Sequence, residues 1–238
     1  MSQILPFLPI PFYFTGAFYP PLFYLGLAVQ SAYLLQRGIA LERLPLVGVH
    51  DTLAFLSASL MLFSIPFYSL LKEKKELRRM LAGLALIFTL SSALLPPYTR
   101  PLPPVLKTYW FELHVALSFL SYALFGIGAM LGVSYLKEAR PALEKSQYKT
   151  ILMGYLLFSL SMIFGGVWAY LAWGTYWLWT PKELWTSILW LYFTFYLHIR
   201  FSGWWRGKRA AIAGSIGFLV VLFTYLGVSL LMKSSHAF

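Results

Sequence analysis

Apolar residues fill seven long blocks along this chain, 17–36, 50–71, 80–95, 114–136, 150–172, 184–200 and 211–232, and charges and prolines collect between them. A helix that crosses the hydrocarbon of a bilayer needs about 20 mostly apolar residues, so each block reads as a transmembrane helix. The third is short and stops at Pro96-Pro97. The second contains Pro66, which removes a backbone donor and predicts a kink. Segment 4–14 is apolar but carries Pro6, Pro9 and Pro11, and reads as an interfacial or re-entrant lead-in. It lacks the basic start and small-residue cleavage site of a signal peptide. The pattern predicts an all-α fold, a polytopic membrane helix bundle of about seven transmembrane helices forming one domain over 1–238.

Composition agrees. The 238 residues are 59% hydrophobic, 19% aromatic and 11% charged, against about 25% charged in an average soluble domain. With a mean hydropathy of +0.69 there is too little polar surface to clothe a soluble globule. This excludes a soluble enzyme, a disordered chain and a surface-bound amphipathic helix. The absence of Cys excludes disulfides, thiolate metal sites and a catalytic thiol.

The net charge of +11 would suggest nucleic acid in a soluble chain. In a membrane chain its first meaning is topology. Lys72, Lys74, Lys75, Arg78 and Arg79 follow the second block, Lys137, Arg140, Lys145 and Lys149 the fourth, and Arg200, Arg206, Lys208 and Arg209 the sixth. These 13 of the 19 basic residues fall on one side if the spans alternate. Positive loops stay inside, so the N-terminus is expected inside and the C-terminus outside, with no nucleic-acid partner. The outer face then holds the loops 37–49, 96–113 and 173–183 and the tail after 232.

The unusual residues collect on that face. Six tryptophans, Trp168, Trp173, Trp177, Trp179, Trp185 and Trp190, lie within one 23-residue stretch. They can form an interfacial aromatic belt, or a rigid apolar platform edged with indole N–H donors for a flat ligand. Composition alone leaves these two readings level. In Thr180-Pro181-Lys182-Glu183, Thr180 suits an N-cap, Pro181 the first helical position and Glu183 a capping box. The motif thus starts a helix whether or not Lys182 and Glu183 also orient a ligand's charged edge.

The histidines are His50, His114, His198 and His236. A histidine in a span is more often packed than liganded, yet ionisable groups at membrane depth are costly and tend to be functional. The expected topology puts His114 and His236 near the level of the tryptophan loop. Two neutral imidazoles across a flat iron macrocycle make a six-coordinate heme; spacing alone does not choose between this and packing. His50 is also at an outer end, whereas His198 is near the inner end of its span, about 27 Å below Thr180 at 1.5 Å per residue. That is too far to ligate the same iron.

The stretch Phe164-Gly165-Gly166-Val167-Trp168-Ala169 through Trp173-Gly174-Thr175-Tyr176-Trp177-Leu178-Trp179-Thr180-Pro181-Lys182-Glu183-Leu184-Trp185, continuing to His198-Ile199-Arg200, resembles the tryptophan-rich WWD signature of heme-handling proteins. Its Pro-Lys-Glu-x-Trp form is similar to the CcsA/ResC branch of cytochrome c maturation, System II. Glu112-Leu113-His114-Val115-Ala116-Leu117-Ser118-Phe119 looks like the segment carrying that family's first outer His, and Phe223-Thr224-Tyr225-Leu226-Gly227-Val228 followed by His236 the second.

The resemblance covers roughly 105–238 well. It implies a heme-handling subunit of a cytochrome c heme lyase or synthase complex, holding heme b at the outer face of a bacterial or archaeal plasma membrane. The outer loop, 164–190, would carry the porphyrin. His114 and His236 would be the axial ligands, His198 would match an inner heme position, and Trp168, Trp173, Trp177, Trp179 and Trp185 would form the shelf. Lys182, with Arg100 and Lys107, would be a candidate for the propionates. Implied partners are a CcsB/ResB-type membrane subunit, an apocytochrome c with its Cys-x-x-Cys-His motif, and thiol-reducing pathway proteins. The alternative is a bis-His heme membrane anchor that transfers electrons and attaches no heme; a scaffold whose tryptophans are only interfacial is a third reading.

Two positions depart from the family pattern. Thr180 replaces the motif's Asp, preserving an N-cap but not a carboxylate. His50-Asp51 stands where the family often has an Asn-x-Tyr-Glu-Ser-like run, and packing is the favoured reading of His50.

Overall fold

The computed structural model describes residues 4–232 and is helical throughout its regular elements. The chain divides into two units, Met1–Pro101 and Leu102–Phe238.

In the first unit a 3-10 turn, Leu5–Phe7, leads to α1 (Ile10–Gly16), α2 (Pro21–Leu41), α3 (Val49–Ser64), a 3-10 turn at Ile65–Phe67, α4 (Tyr68–Glu73) and α5 (Lys75–Leu94). The prolines of segment 4–14 sit in first helical turns, where a missing N–H breaks no bond. The expected lead-in is therefore a short packed helix. Tyr13 is fully buried, and a Cβ on Gly26 would lie 2.7 Å from its ring. At Pro66 the α-ladder gives way to the 3-10 turn, the interruption that the proline predicts. Helix α5 ends at Leu94, immediately before Pro96-Pro97, and starts five residues before the expected block. Lys75, Arg78 and Arg79 are thus helical, and the expected basic loop shrinks to Lys74. Buried Arg78 donates to the carbonyls of Ala17 (2.9 Å), Leu71 (3.0 Å) and Phe18 (3.2 Å), satisfying backbone oxygens where α1 and α4 end.

In the second unit a 3-10 turn, Pro104–Leu106, precedes α6 (Tyr109–Glu138), α7 (Pro141–Trp173), α8 (Pro181–Ile199), a 3-10 turn at Gly203–Trp205, α9 (Lys208–Leu222), a π-turn at Phe223–Gly227 and α10 (Val228–Leu231). Helices α6 and α7 are 30 and 33 residues long. At 1.5 Å per residue they exceed the roughly 30 Å hydrocarbon core, so their end turns reach past it. Glycines let their backbones approach: a Cβ on Gly128 would meet Ile151 at 2.7 Å, and one on Gly154 would meet Phe125 at 2.9 Å. Stacked Phe125 and Phe193, 3.8 Å between ring centres, pack α8 against α6.

Among the described residues five helical segments are long and apolar enough to cross a membrane: Val49–Glu73, Lys75–Leu94, Tyr109–Glu138, Pro141–Trp173 and Lys208–Leu231. The chain is an integral membrane protein with a helical bundle. The blocks 17–36 and 184–200 form the helices α2 and α8, which fall outside these five. The reason is composition. Helix α2 carries Gln30, Gln36 and Arg37, and α8 carries Lys182, Glu183, His198 and several aromatic residues with polar tips.

Candidate functional site

The site is built from the loop between α7 and α8 and the α6–α7 pair. Thr108 caps α6, its side chain accepting from Phe111 N–H at 3.2 Å. This starts the helix six residues before His114. The imidazole lies against α7, where a Cβ on Gly165 would come within 2.6 Å of Nδ1 and 2.8 Å of Cε1. Nδ1 is 2.9 Å from the Ser161 carbonyl oxygen. A carbonyl cannot donate, so Nδ1 carries the proton and Nε2 keeps its lone pair. Among the described residues no hydrogen bond engages Nε2. The Ser161 hydroxyl returns to the same residue, donating to the His114 carbonyl at 2.8 Å, and Ser118 Oγ stands 2.6 Å from Ser161 Oγ. A nitrogen donor with its other N–H fixed by a carbonyl is the usual arrangement of a metal-ligating histidine. The residues present therefore fit one axial position of a heme.

Trp168 is nearly parallel to the His114 ring, with centres 6.4 Å apart and planes 12° apart. It is buried, packs on Phe111 (5.2 Å) and Trp173 (4.8 Å), and donates its indole N–H to Val105 O at 2.7 Å. That bond fastens the turn before α6 to α7. Of the sequence-nominated tryptophans, the structure sets Trp168 beside His114, with Trp173 against Trp168. Trp177 is half-buried in the loop, and Trp179 is 70% exposed. Trp185 packs on Phe223 of the π-turn at 4.5 Å. Trp190, deeper on α8, donates to Ser159 Oγ at 2.9 Å.

The loop between α7 and α8 is held in place by its own polar groups. Gly174, at φ +74°, ends α7 in the left-handed conformation that glycine tolerates. The capping box forms as the sequence predicts: Thr180 Oγ1 accepts from Glu183 N, and Glu183 Oε2 accepts from Thr180 N at 2.8 Å. The same oxygen takes Leu178 N–H at 3.0 Å. Trp179, between these two anchored amides, has φ +56°, a conformation that disfavours side chains by about 1–2 kcal/mol. Glu183 thus holds a strained backbone that turns an indole outward.

His198 is exposed on α8, with Nδ1 2.7 Å from Thr194 O. By the same argument its Nε2 keeps a lone pair. Two residues on, Arg200 pairs with Glu144 at 2.6 Å and covers the Tyr148 ring at 4.3 Å, tying the end of α8 to α7. His236 lies outside the described residues. His50 is 2% exposed and fully used. Its Nδ1 faces the carbonyls of Ser92 (2.7 Å) and Leu95 (3.0 Å), and its Nε2 accepts from Tyr33 OH at 2.6 Å. Packing, the favoured reading of this residue, is what the structure has.

Ser161 and Gly165 escaped the sequence reading as partners of His114, since they lie on another helix 47 and 51 positions away. The available signal was the Gly165-Gly166 pair inside an otherwise bulky helix.

Comparison with known proteins finds a family model described as cytochrome C assembly protein matching residues 46–236. A "Cytochrome c biogenesis protein CcsA" of Chlamydomonas reinhardtii is 34% identical, over 82% of this chain and 60% of that protein. The equivalent proteins of Heterosigma akashiwo (strain NIES-293 / 8280G21-1) and Prochlorococcus marinus (strain AS9601) are 32% and 30% identical, over 82% of this chain and 76% and 75% of their own lengths. The chain thus spans between three fifths and about three quarters of these relatives.

Proposed function

The chain belongs to the CcsA-type family of cytochrome c assembly proteins, and from this membership we propose that it holds heme b at the outer face of the membrane for attachment to an apocytochrome c. The observation that carries the reading is His114, with its Nδ1–H on the Ser161 carbonyl and its Nε2 left with a lone pair. His236 is proposed as the second axial ligand. His198 is proposed for an inner position completed by a CcsB/ResB-type subunit. The bound heme supplies vinyl carbons: a Cys thiol of Cys-x-x-Cys-His adds across each, forming an S–C bond and leaving its proton on the neighbouring carbon, with no net electron transfer.

The chain's own residues do the holding. His114 gives an electron pair from Nε2, and Ser161, accepting the Nδ1 proton, strengthens that donation. Trp173, Trp177, Trp179 and Trp185 offer apolar surface around the loop, with Trp168 bracing His114 from inside. Lys182, with Arg100 and Lys107, is proposed for the anionic propionates. Thr180 and Glu183 keep the loop in shape. The proposed topology has seven spans, α2 and α8 included, with the N-terminus inside and the C-terminus outside a bacterial or archaeal plasma membrane. The clustering of 13 of 19 basic residues supports it. Thiol-reducing proteins are the proposed source of reduced cysteines.

The test is coexpression with a CcsB-type partner and a reporter apocytochrome. The expected product is covalent heme on the reporter, lost in His114→Ala and partly restored by added imidazole. A heme-containing complex that attaches nothing would leave the electron-transfer anchor as the better account. A His114→Ala protein with an unchanged heme spectrum would remove the ligand assignment.

A further inference from the structure

We infer that Gly165 and Ser161 are positioning residues for His114: together they fix which imidazole nitrogen is free and where it points. This deepens the proposed function and rests on His114 being a heme ligand.

The inference begins with a geometric difficulty. Ser161 is mid-helix in α7, so its carbonyl already receives the N–H of the residue four positions on, which is Gly165. A carbonyl so placed is normally flanked by the Cβ of that residue. Here the Cβ is missing, and the vacant volume is where the imidazole lies: an added methyl would sit 2.6 Å from Nδ1, 2.8 Å from Cε1 and 3.2 Å from Cγ. All three atoms belong to the one imidazole ring. Gly165 is thus a window through which His114 reaches a carbonyl inside another helix.

Ser161 closes a second contact. Its hydroxyl donates to the His114 carbonyl at 2.8 Å while its carbonyl accepts from the ring at 2.9 Å, so one residue grips both ends of the histidine. The first unit contains the same grip independently. Ser92 O accepts from His50 Nδ1–H at 2.7 Å, and Ser92 Oγ donates to His50 O at 2.6 Å. There no glycine is required: α5 ends at Leu94, Pro96 has no N–H to give, and the Ser92 carbonyl takes only the capping N–H of Leu95, at 3.1 Å, beside the ring. A serine carbonyl at a helix end has room for a ring, because no further turn covers it; one in mid-helix needs a glycine four residues later. Gly165 supplies that condition.

Two experiments on the full chain test this. In the first, heme b is titrated into heme-free purified protein and followed by absorption. Gly165→Ala should weaken heme binding about 10-fold and alter the low-spin spectrum, the size expected when a ligand loses its supporting shell. Gly83→Ala adds the same methyl to α5, where nothing lies within 4 Å, and should bind as the wild type does. In a His114→Gly background supplied with imidazole, Gly165→Ala should have no further effect. Wild-type binding and spectrum in Gly165→Ala, with His114→Ala defective, would overturn the positioning role and leave the ligand reading standing. Wild-type binding in His114→Ala would remove the ligand reading itself.

The second needs neither a variant nor heme. Nitrogen NMR of labelled histidine should assign His114 to the Nδ1–H tautomer in heme-free protein. An Nε2–H tautomer would overturn the inference even if Gly165→Ala failed to fold.

Discussion

His50 and His114 are held by the same grip in separate units, a serine that takes the Nδ1 proton on its carbonyl and returns its hydroxyl to the histidine's carbonyl. They differ at the other nitrogen. Tyr33 donates to Nε2 of His50, and beside it Asp51 is paired with Arg37 through contacts of 2.6 and 2.8 Å, all of them buried. Among the described residues no hydrogen bond engages Nε2 of His114, whose ring lies beside that of Trp168. The grip therefore sets the tautomer, and what faces Nε2 decides between a structural histidine and one able to bind a metal. His50 contributes to stability; His114 keeps a lone pair in reserve.

The sharpest way to break this comparison is to disturb the His50 side, where everything is paired. Asp51→Asn leaves the buried Arg37 guanidinium without its counter-charge and is expected to cost about 3–5 kcal/mol, seen as a large drop in melting temperature in detergent. His50→Ala opens a cavity and strands the Tyr33 hydroxyl, for an expected loss of about 2–5 kcal/mol in the same assay. His114→Ala should behave in the opposite way. It loses about one hydrogen bond, about 1 kcal/mol of stability, while heme binding falls most. If His50→Ala instead abolishes heme binding with stability intact, the two histidines have been assigned the wrong way round. The smallest effects belong to the loop's N-cap. Thr180→Ala should cost about 1 kcal/mol, while Thr180→Asp, which keeps a capping oxygen, should change melting by less than about 0.5 kcal/mol. Unfolding in Thr180→Asp would show that the capping box is not what holds the loop.

Much of this was legible in the chain. The apolar blocks located every long helix, because hydrocarbon accepts only backbone that bonds to itself. Pro66 marked the interruption between α3 and α4, and Thr180-Pro181-Lys182-Glu183 gave the start of α8 from local chemistry alone. Block ends were less legible. Lys75, Arg78, Lys145 and Lys149 looked like loop residues but lie on helices that run on past the apolar stretch. Such side chains can follow their helix to the interface and keep their charge in water. Arg78 does otherwise, turning inward to bond four carbonyls that no sequence pattern announces.

The sequence by itself determined that this is a helical membrane protein of the CcsA type, because hydropathy and a dense tryptophan motif are one-dimensional properties. It also nominated the histidines as candidate ligands. The tertiary structure alone decided which nitrogen of His114 is free, that His50 is spent on Tyr33 and Ser92, and that Trp168 braces α6 from within. These are contacts between helices far apart in sequence, set by where a missing Cβ or an ended helix leaves room beside a carbonyl, and no spacing along the chain encodes them.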